Sequence, residues 1–406
     1  MTLVECYDRS VTQNIVSCLH LRPEKLIFLG GAEEVKAELD RYREFLTSRG
    51  MNTVVQQRPV KMSRIESIAA VLREIVKQED ICVIDVTGGD ERLLIAVGLV
   101  LADLEPAQRK RVDIQRFDPV TGTAQDCDGD GDVIEGQPVK VSVEEVVRLH
   151  GGIVHPASTQ PDRTWLPRDL EPLWKIVTRN AREWNQYISA LEVFESRADS
   201  RNQVFLYLPD IQSGIPGFEE KRKLVMELLE MFEKDGIIRN QSRGDILEYN
   251  YTTWLYRYCT LKAGNVLEVK TLLEARAKLD GGKDFFQDCL MGVHIDWEGV
   301  TFDPAQRIPE TRNEIDVIAT RGMIPLFISC KNGDVDEDEL YKLHTVATRF
   351  GGPDAKKMLI ATHLQKKNDA STNAFIQRAK DMDIQLVTDA ALLTKEEWRA
   401  VFASAF

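Results

Sequence analysis

Five short apolar runs separated by helix-length stretches fill the first 117 residues, and this alternation restricts the chain more than any other feature in it. Strands are expected at 3–7, 25–29, 53–57, 81–86 and 112–117, with helices at 13–19, 32–48, 62–77 and 90–104 between them. Strands joined through helices need right-handed crossovers, which makes the sheet parallel and covers both of its faces. The fold class is therefore α/β, with a Rossmann-like domain over residues 1–152. Ligands of such sheets bind beyond the carboxyl ends of the strands. Two strand ends carry usable residues. The first is the polar loop from Asp8 through Arg9, Ser10, Thr12, Gln13 and Asn14 into a helix. The second is Thr87-Gly88-Gly89-Asp90, with Arg92 close behind. Glycines there let a ligand approach the backbone, and helix N-terminal amides favour phosphate. A strand-to-helix turn with Asp90 as N-cap would leave the same trace.

A second constraint lies at 313–331, NEIDVIATRGMIPLFISCK. Apolar runs at 314–320 and 324–330 flank the turn signal Arg321-Gly322, which predicts a β-hairpin with Met323 and Phe327 in the core. Asp316 inside one run and Lys331 at the end of the other are costly to bury without a partner or a task. Period-two alternation places Ser329 and Lys331 on one face and Cys330 on the other. A carboxylate beside a lysine suits metal-assisted phosphodiester hydrolysis, in which the carboxylate holds the ion and the lysine steadies developing negative charge. Before the hairpin come an amphipathic helix carrying Glu268 and a strand at 290–297. After it come a helix at 336–350, a strand at 358–363, a helix at 372–381 and a strand at 384–388. Lys342, Lys356 and Lys357 add cations nearby.

Between these two regions, 156–167 reads as a linker. A helix at 173–191 carries Trp174 and Trp184, and another spans 218–234. A hairpin at 237–239 and 246–249 and a helix at 252–259 follow. This suits a winged-helix fragment or a generic connector, and gives a mostly helical segment over 153–262 before a third domain at 263–406. The acidic run 126–132 imitates the start of a calcium loop but has Gln137 where the twelfth-position Glu belongs, so an acidic surface turn is expected. His150 and His155 read as surface or boundary residues. A formal net charge of −13 argues against a general nucleic-acid coat. No run of eighteen apolar residues and no secretory signal is present, and the seven scattered cysteines contain no CxxC pair, so a cytoplasmic protein without a membrane partner is expected.

The order αβββαβ over residues 263–406 resembles the core of the PD-(D/E)XK nuclease superfamily, and Glu268, Asp316 and Lys331 match its pattern residue by residue. The chain departs from that pattern at Ser329, where the superfamily has an acid. The resemblance implies a catalytic set of Glu268, Asp316, Ser329 and Lys331. It also implies Mn²⁺ or Mg²⁺ held by Glu268, Asp316 and the main-chain carbonyl of Cys330. The two N-terminal loops resemble those of the CARF domain, with Ser10, Gln13 and Asn14 matching its first-strand loop and Thr87, Gly88 and Gly89 its fourth-strand motif. The departure here is Asp90-Glu91, where many members have Thr-Lys. With Thr12, Asp90 and Arg92, these residues form the expected ligand-binding set. Together the two ends resemble the CARF-nuclease effectors of type III CRISPR defence. That resemblance implies a homodimer activated allosterically by a cyclic oligoadenylate, tetra-adenylate foremost, and cutting DNA, RNA or both. Two other readings stand beside it: a ligand-responsive nucleic-acid-binding regulator with a decayed site, and a Mrr-like restriction nuclease without ligand control.

Overall fold

The structure, a computed structural model, describes residues 1–134, 138–156, 164–198, 203–278, 282–297, 312–365 and 369–406. Its N-terminal domain runs β1 (Thr2–Cys6), α1 (Gln13–Leu21), β2 (Lys25–Gly30), α2 (Ala32–Ser48), β3 (Val54–Pro59), α3 (Ile65–Gln78), β4 (Cys82–Asp85), α4 (Glu91–Asp103), α5 (Pro106–Arg109) and β5 (Val112–Asp118). These strands form the parallel sheet β3-β2-β1-β4-β5, with apolar side chains packed on both faces. A hairpin with no trace in the alternating pattern, β6 (Thr123–Asp126) and β7 (Val133–Ile134), extends this sheet antiparallel beyond β5. Its acidic turn is tied down by Asp128, which accepts from Arg109 and from the backbone of Ile114. Gln137 lies outside the described residues. α6 (Val143–Leu149), started by a Ser142–Glu145 capping box, closes the domain. His150 behind it is buried rather than superficial; burial first, then Arg41 and Arg349, lower its pKa to about 4.

An unpartnered carboxyl group sits deep in this sheet. Glu5, on β1, is fully buried, and neither of its carboxylate oxygens has a hydrogen-bond partner among the described residues. Burial, then Asp85 and Asp8, push its pKa well above the ordinary carboxylate range. A raised folded-state pKa means that stability is complete below the unfolded carboxylate pKa and is lost as pH rises toward the folded value. Glu5→Gln is therefore expected to stabilise the protein by about 1–3 kcal/mol at pH 8, with the gain shrinking toward pH 4. Urea unfolding at the two pH values checks this, and an equal effect at both would refute it.

The middle of the chain comprises β8 (Ile153–Pro156), α7 (Pro167–Arg179), α8 (Trp184–Glu195), β9 (Gln203–Tyr207), α9 (Leu208–Gln212), α10 (Phe218–Lys234), β10 (Ile238–Asn240), β11 (Ile246–Tyr251) and α11 (Trp254–Thr260). Most of the 156–167 linker lies outside the described residues. The single helix expected at 173–191 is two helices. Asn180 leaves helical geometry at φ −122°, and its side-chain amide donates back to the Ile176 carbonyl, so the chain turns and both Trp174 and Trp184 face the core. From α8 to β11 the succession is helix, strand, two helices and hairpin, with sheet order β10-β11-β9, which is winged-helix topology.

The C-terminal domain comprises α12 (Asn265–Arg276), β12 (Asp288–Asp296), β13 (Arg312–Arg321), β14 (Ile324–Asp334), α13 (Glu337–Gly351), β15 (Lys356–Gln365), α14 (Asp369–Asp381), β16 (Gln385–Val387) and α15 (Lys395–Ala403). Its sheet runs β16-β15-β14-β13-β12-β8. The strand at 153–156 thus belongs here and not to a helical connector: it pairs antiparallel with β12. α12 is buried almost all round rather than amphipathic, because α7, α11, α15 and the sheet surround it. Lys270 in its interior is held by Glu171 and Glu274 at 3.0 and 2.9 Å.

The β13–β14 hairpin reaches out of its own domain. At its tip the Met323 N–H donates to the Pro119 carbonyl (2.8 Å), and the Met323 side chain is buried in the N-terminal core with Phe117, Val139 and Val141. Thr320 Oγ1 donates to the Val141 carbonyl, and Gln287 Nε2 to the Gly322 carbonyl. Met323 is core, as the sequence suggests, but the core belongs to the other domain.

Candidate functional site

The root of the same hairpin carries the chemistry. Asp316 Oδ2 accepts from the Cys330 N–H at 2.6 Å and from Ser329 Oγ at 3.2 Å, so the serine that replaces the expected acid orients the neighbouring carboxylate. Burial raises the Asp316 pKa, against the pull of Lys331 and of these two hydrogen bonds. Glu268, on α12, is pushed up to about 8 by burial and then by Asp316 and Glu314, while Lys331 and Lys262 oppose the rise. The two carboxylates therefore share one electrostatic site. Lys331 Nζ lies 2.8 Å from Glu339 Oε2. Burial works against its charge, but Asp316 and Glu339 hold its pKa above the ordinary lysine value. The Cys330 thiol points away into the core, against Thr271 Oγ1, so only its backbone faces this side.

Asp316, Ser329 and Lys331 line a small recess with Glu314, Glu339 and Lys342. Glu339 bridges the two lysines, at 2.8 Å from each. Sequence reasoning missed Glu314 and Glu339. A signal existed for each: Glu314 is two residues before Asp316, hence on the same strand face, and Glu339 is three before Lys342, hence on the same helix face.

In the N-terminal domain, the loops after β1 and β4 do meet, and their pivot is Asp8. Its Oδ1 accepts from the Ser10 N–H at 2.8 Å and its Oδ2 from the Gly89 N–H at 2.9 Å. A Cβ on Gly88 would clash with Asp8 and Gln13, so glycine is required where the loops touch. Beside them opens a cleft of about 280 Å³ lined by Arg9, Tyr7, Glu34, Asp90 and Arg92 among others. Asp90 caps α4 and takes both Arg92 guanidinium contacts at 2.7 Å, which lowers its pKa to about 2.

Several expected ligand residues are turned elsewhere. Asn14 is fully buried, donating to Asp8 O and Tyr42 Oη, and Thr12 is buried too. Thr87 Oγ1 accepts from the Phe117 N–H. Ser10 Oγ (2.8 Å) and Gln13 Nε2 (3.4 Å) both donate to Asp354 Oδ2, on the turn before β15 in the C-terminal domain. These residues shape the loops; of the expected set, Asp90 and Arg92 line the cleft itself, joined by Arg9 of the first loop and by the unanticipated Tyr7.

Neither a family model nor a curated protein matches the sequence. Solved structures do share its fold. Protein VC1899 from Vibrio cholerae superposes with a TM-score of 0.69 at 18% identity, over 99% of this chain and 96% of that one. Can2 from Sulfobacillus thermosulfidooxidans, solved in complex with cyclic tetra-adenylate, gives 0.65 at 16% identity, over 98% and 96%. The likeness spans all three parts of the chain, and at these identities it is a likeness of fold.

Proposed function

We propose that the chain is a cyclic-oligoadenylate-activated, metal-dependent nuclease, a cytoplasmic homodimeric effector of type III CRISPR defence that cuts DNA, RNA or both. The observation that carries this reading is the recess at the root of one hairpin where Asp316, Ser329 and Lys331 meet, with Glu268 on α12 near enough for Asp316 to raise its pKa. The tip of that hairpin is seated in the domain that holds the arginine-lined cleft. Control by a ligand has a direct route, because the loop carrying Ser10 and Gln13 is bonded to Asp354 beside β15.

The donor set fits a hard divalent cation. Two buried carboxyl groups, Glu268 raised by burial and by Asp316, and Asp316 raised by burial, are oxygen ligands in want of positive charge, and oxygen donors suit Mg²⁺ or Mn²⁺. Glu268 and Asp316 would hold the ion, with the Cys330 carbonyl as a third donor. When bound, the ion supplies a water of lowered pKa and neutralises charge on the phosphodiester. Ser329 fixes the Asp316 carboxylate by its hydrogen bond. Lys331, kept protonated, steadies the pentavalent phosphorus, and Glu339 keeps its ammonium in place. In the cleft, Arg9 offers a cation to an anionic ring of adenylates, Arg92 would do so on leaving Asp90, and Tyr7 offers a face for a base. Leu94, Ile95 and Leu99 form an exposed apolar stripe on α4, 37–50% accessible, which a second copy would cover.

The test is cleavage of supercoiled plasmid, single-stranded DNA and single-stranded RNA with Mn²⁺, with and without cyclic tetra-adenylate. At least a tenfold rise in cutting on adding the ligand is expected. Equal cutting without it would favour an unregulated restriction nuclease, and ligand binding with no cutting of any substrate would favour a regulator in which Ser329 marks a lost activity.

A further inference from the structure

A second cleft, of about 430 Å³, opens between the α7–α8 corner and the carboxyl ends of β15 and β16. It is distinct from the acidic recess but adjoins it. Asn185, near the start of α8, exchanges two hydrogen bonds with Asn332, the residue after Lys331, at 2.9 and 2.8 Å. Lys331 pairs with Ala361 on β15, so Thr362 and His363 follow that partner directly. With strands about 4.8 Å apart and about 3.3 Å per residue, His363 lies roughly 8 Å from Lys331 at the backbone.

The lining of this cleft is unusual in an acidic protein. Arg179 and Arg182 both project into it, exposed, and neither has an ionic partner among the described residues. Thr362 is fully buried, lines the cleft, and its hydroxyl has no hydrogen-bond partner among the described residues. A buried hydroxyl left in this state costs free energy unless something outside the chain uses it. Of the two acids present, Asp389 is occupied by His363 Nδ1 (3.2 Å) and Thr388 Oγ1 (3.0 Å), and Glu183 is exposed on the rim.

We propose that this cleft is a phosphate subsite of the nucleic-acid groove. Arg179 and Arg182 engage a backbone phosphate of the strand next to the scissile one, and the Thr362 hydroxyl donates to the same group. The proposal rests on the nuclease reading for its choice of ligand. It gives the winged-helix segment a role on its α7–α8 side, and not through α10, which carries five glutamates in FEEKRKLVMELLEMFEK. A guanidinium fork on phosphate is recognition without sequence preference, which suits a groove read as taking DNA, RNA or both.

The test uses the full chain carrying Asp316→Asn, so that nothing is cut, and fluorescence anisotropy with a labelled single-stranded DNA 20-mer and the matching RNA. Adding Arg179→Ala and Arg182→Ala is expected to weaken binding at least tenfold. The slope of log K against log salt should become shallower by about 1, as loss of one or two single-strand phosphate contacts requires. Thr362→Val, which keeps the volume, should weaken binding by a smaller factor. Unchanged melting temperature and unchanged binding of cyclic tetra-adenylate show that the variants are folded. Inorganic phosphate at millimolar concentration should compete in the parent and not in the double-arginine variant. The proposal is overturned if the parent does not bind either oligonucleotide, or if the arginine variant binds with the same affinity and slope. Failure of the nuclease reading looks different: arginine-dependent binding would persist in a protein whose Asp316 form never cuts.

Discussion

Asp316→Ala is expected to reduce strand cleavage by about 10³-fold or more, the equivalent of removing several kcal/mol of charge stabilisation from the transition state. The same substitution should also lower stability, because the Cys330 N–H and Ser329 Oγ lose their acceptor and Lys331 loses its buried counter-charge. An orphaned buried donor alone costs about 1–3 kcal/mol. Asp316→Asn separates the two effects. Its amide oxygen still accepts from Cys330, so folding should be close to parental, while the negative charge is gone. Single-turnover cleavage and thermal melting of both variants decide the matter. Activity near the parental rate in Asp316→Asn would mean that the carboxylate is structural and that the chemistry lies elsewhere.

Gly322→Ala should be strongly destabilising. Gly322 sits at φ +62°, and a Cβ there would lie on the carbonyl oxygens of Pro119 and Val120 in the N-terminal domain. The left-handed backbone costs an L-residue about 1–2 kcal/mol, and the overpacking a similar amount again, about 1–3 kcal/mol. A loss of about 2–5 kcal/mol in urea unfolding is therefore expected. Ligand-stimulated cutting should fall more than ligand binding, because the hairpin that carries Asp316 and Lys331 would lose its seat under the cleft domain. If the variant unfolds within about 0.5 kcal/mol of the parent, the hairpin tip is not seated against Pro119 and Val120.

What could be read from the sequence was what local periodicity encodes. α2 and α10 have the limits expected from their apolar spacing, and the parallel direction of the strands follows from the helices between them, although their order does not. The break at Asn180 was hidden because the apolar stripe resumes in phase after it, at Trp184. The buried face of α12 was misjudged since Lys270 and Glu274 look like solvent-facing residues until their partnership is seen. Asp8 reads as an ordinary turn residue, and its role comes from the Gly89 N–H far along the chain. For the acidic site, residue types and order sufficed to pick out Glu268, Asp316 and Lys331. The contact of the Ser329 hydroxyl with Asp316 is not encoded in residue type, because only the pairing of the two strands brings them together.

The position of β8 bears on how the molecule is made. This strand is synthesised before the whole winged-helix segment, yet its strand partner among the described residues is β12. At about 5–20 residues per second it must wait on the order of ten seconds on the ribosome, with its hydrogen-bonding edge unmatched. The C-terminal domain is thus not a contiguous piece of chain. A fragment beginning at residue 263 would leave the edge of β12 bare, an invitation to pair with other molecules. An expression product intended to carry this domain alone should begin at Ile153 or earlier.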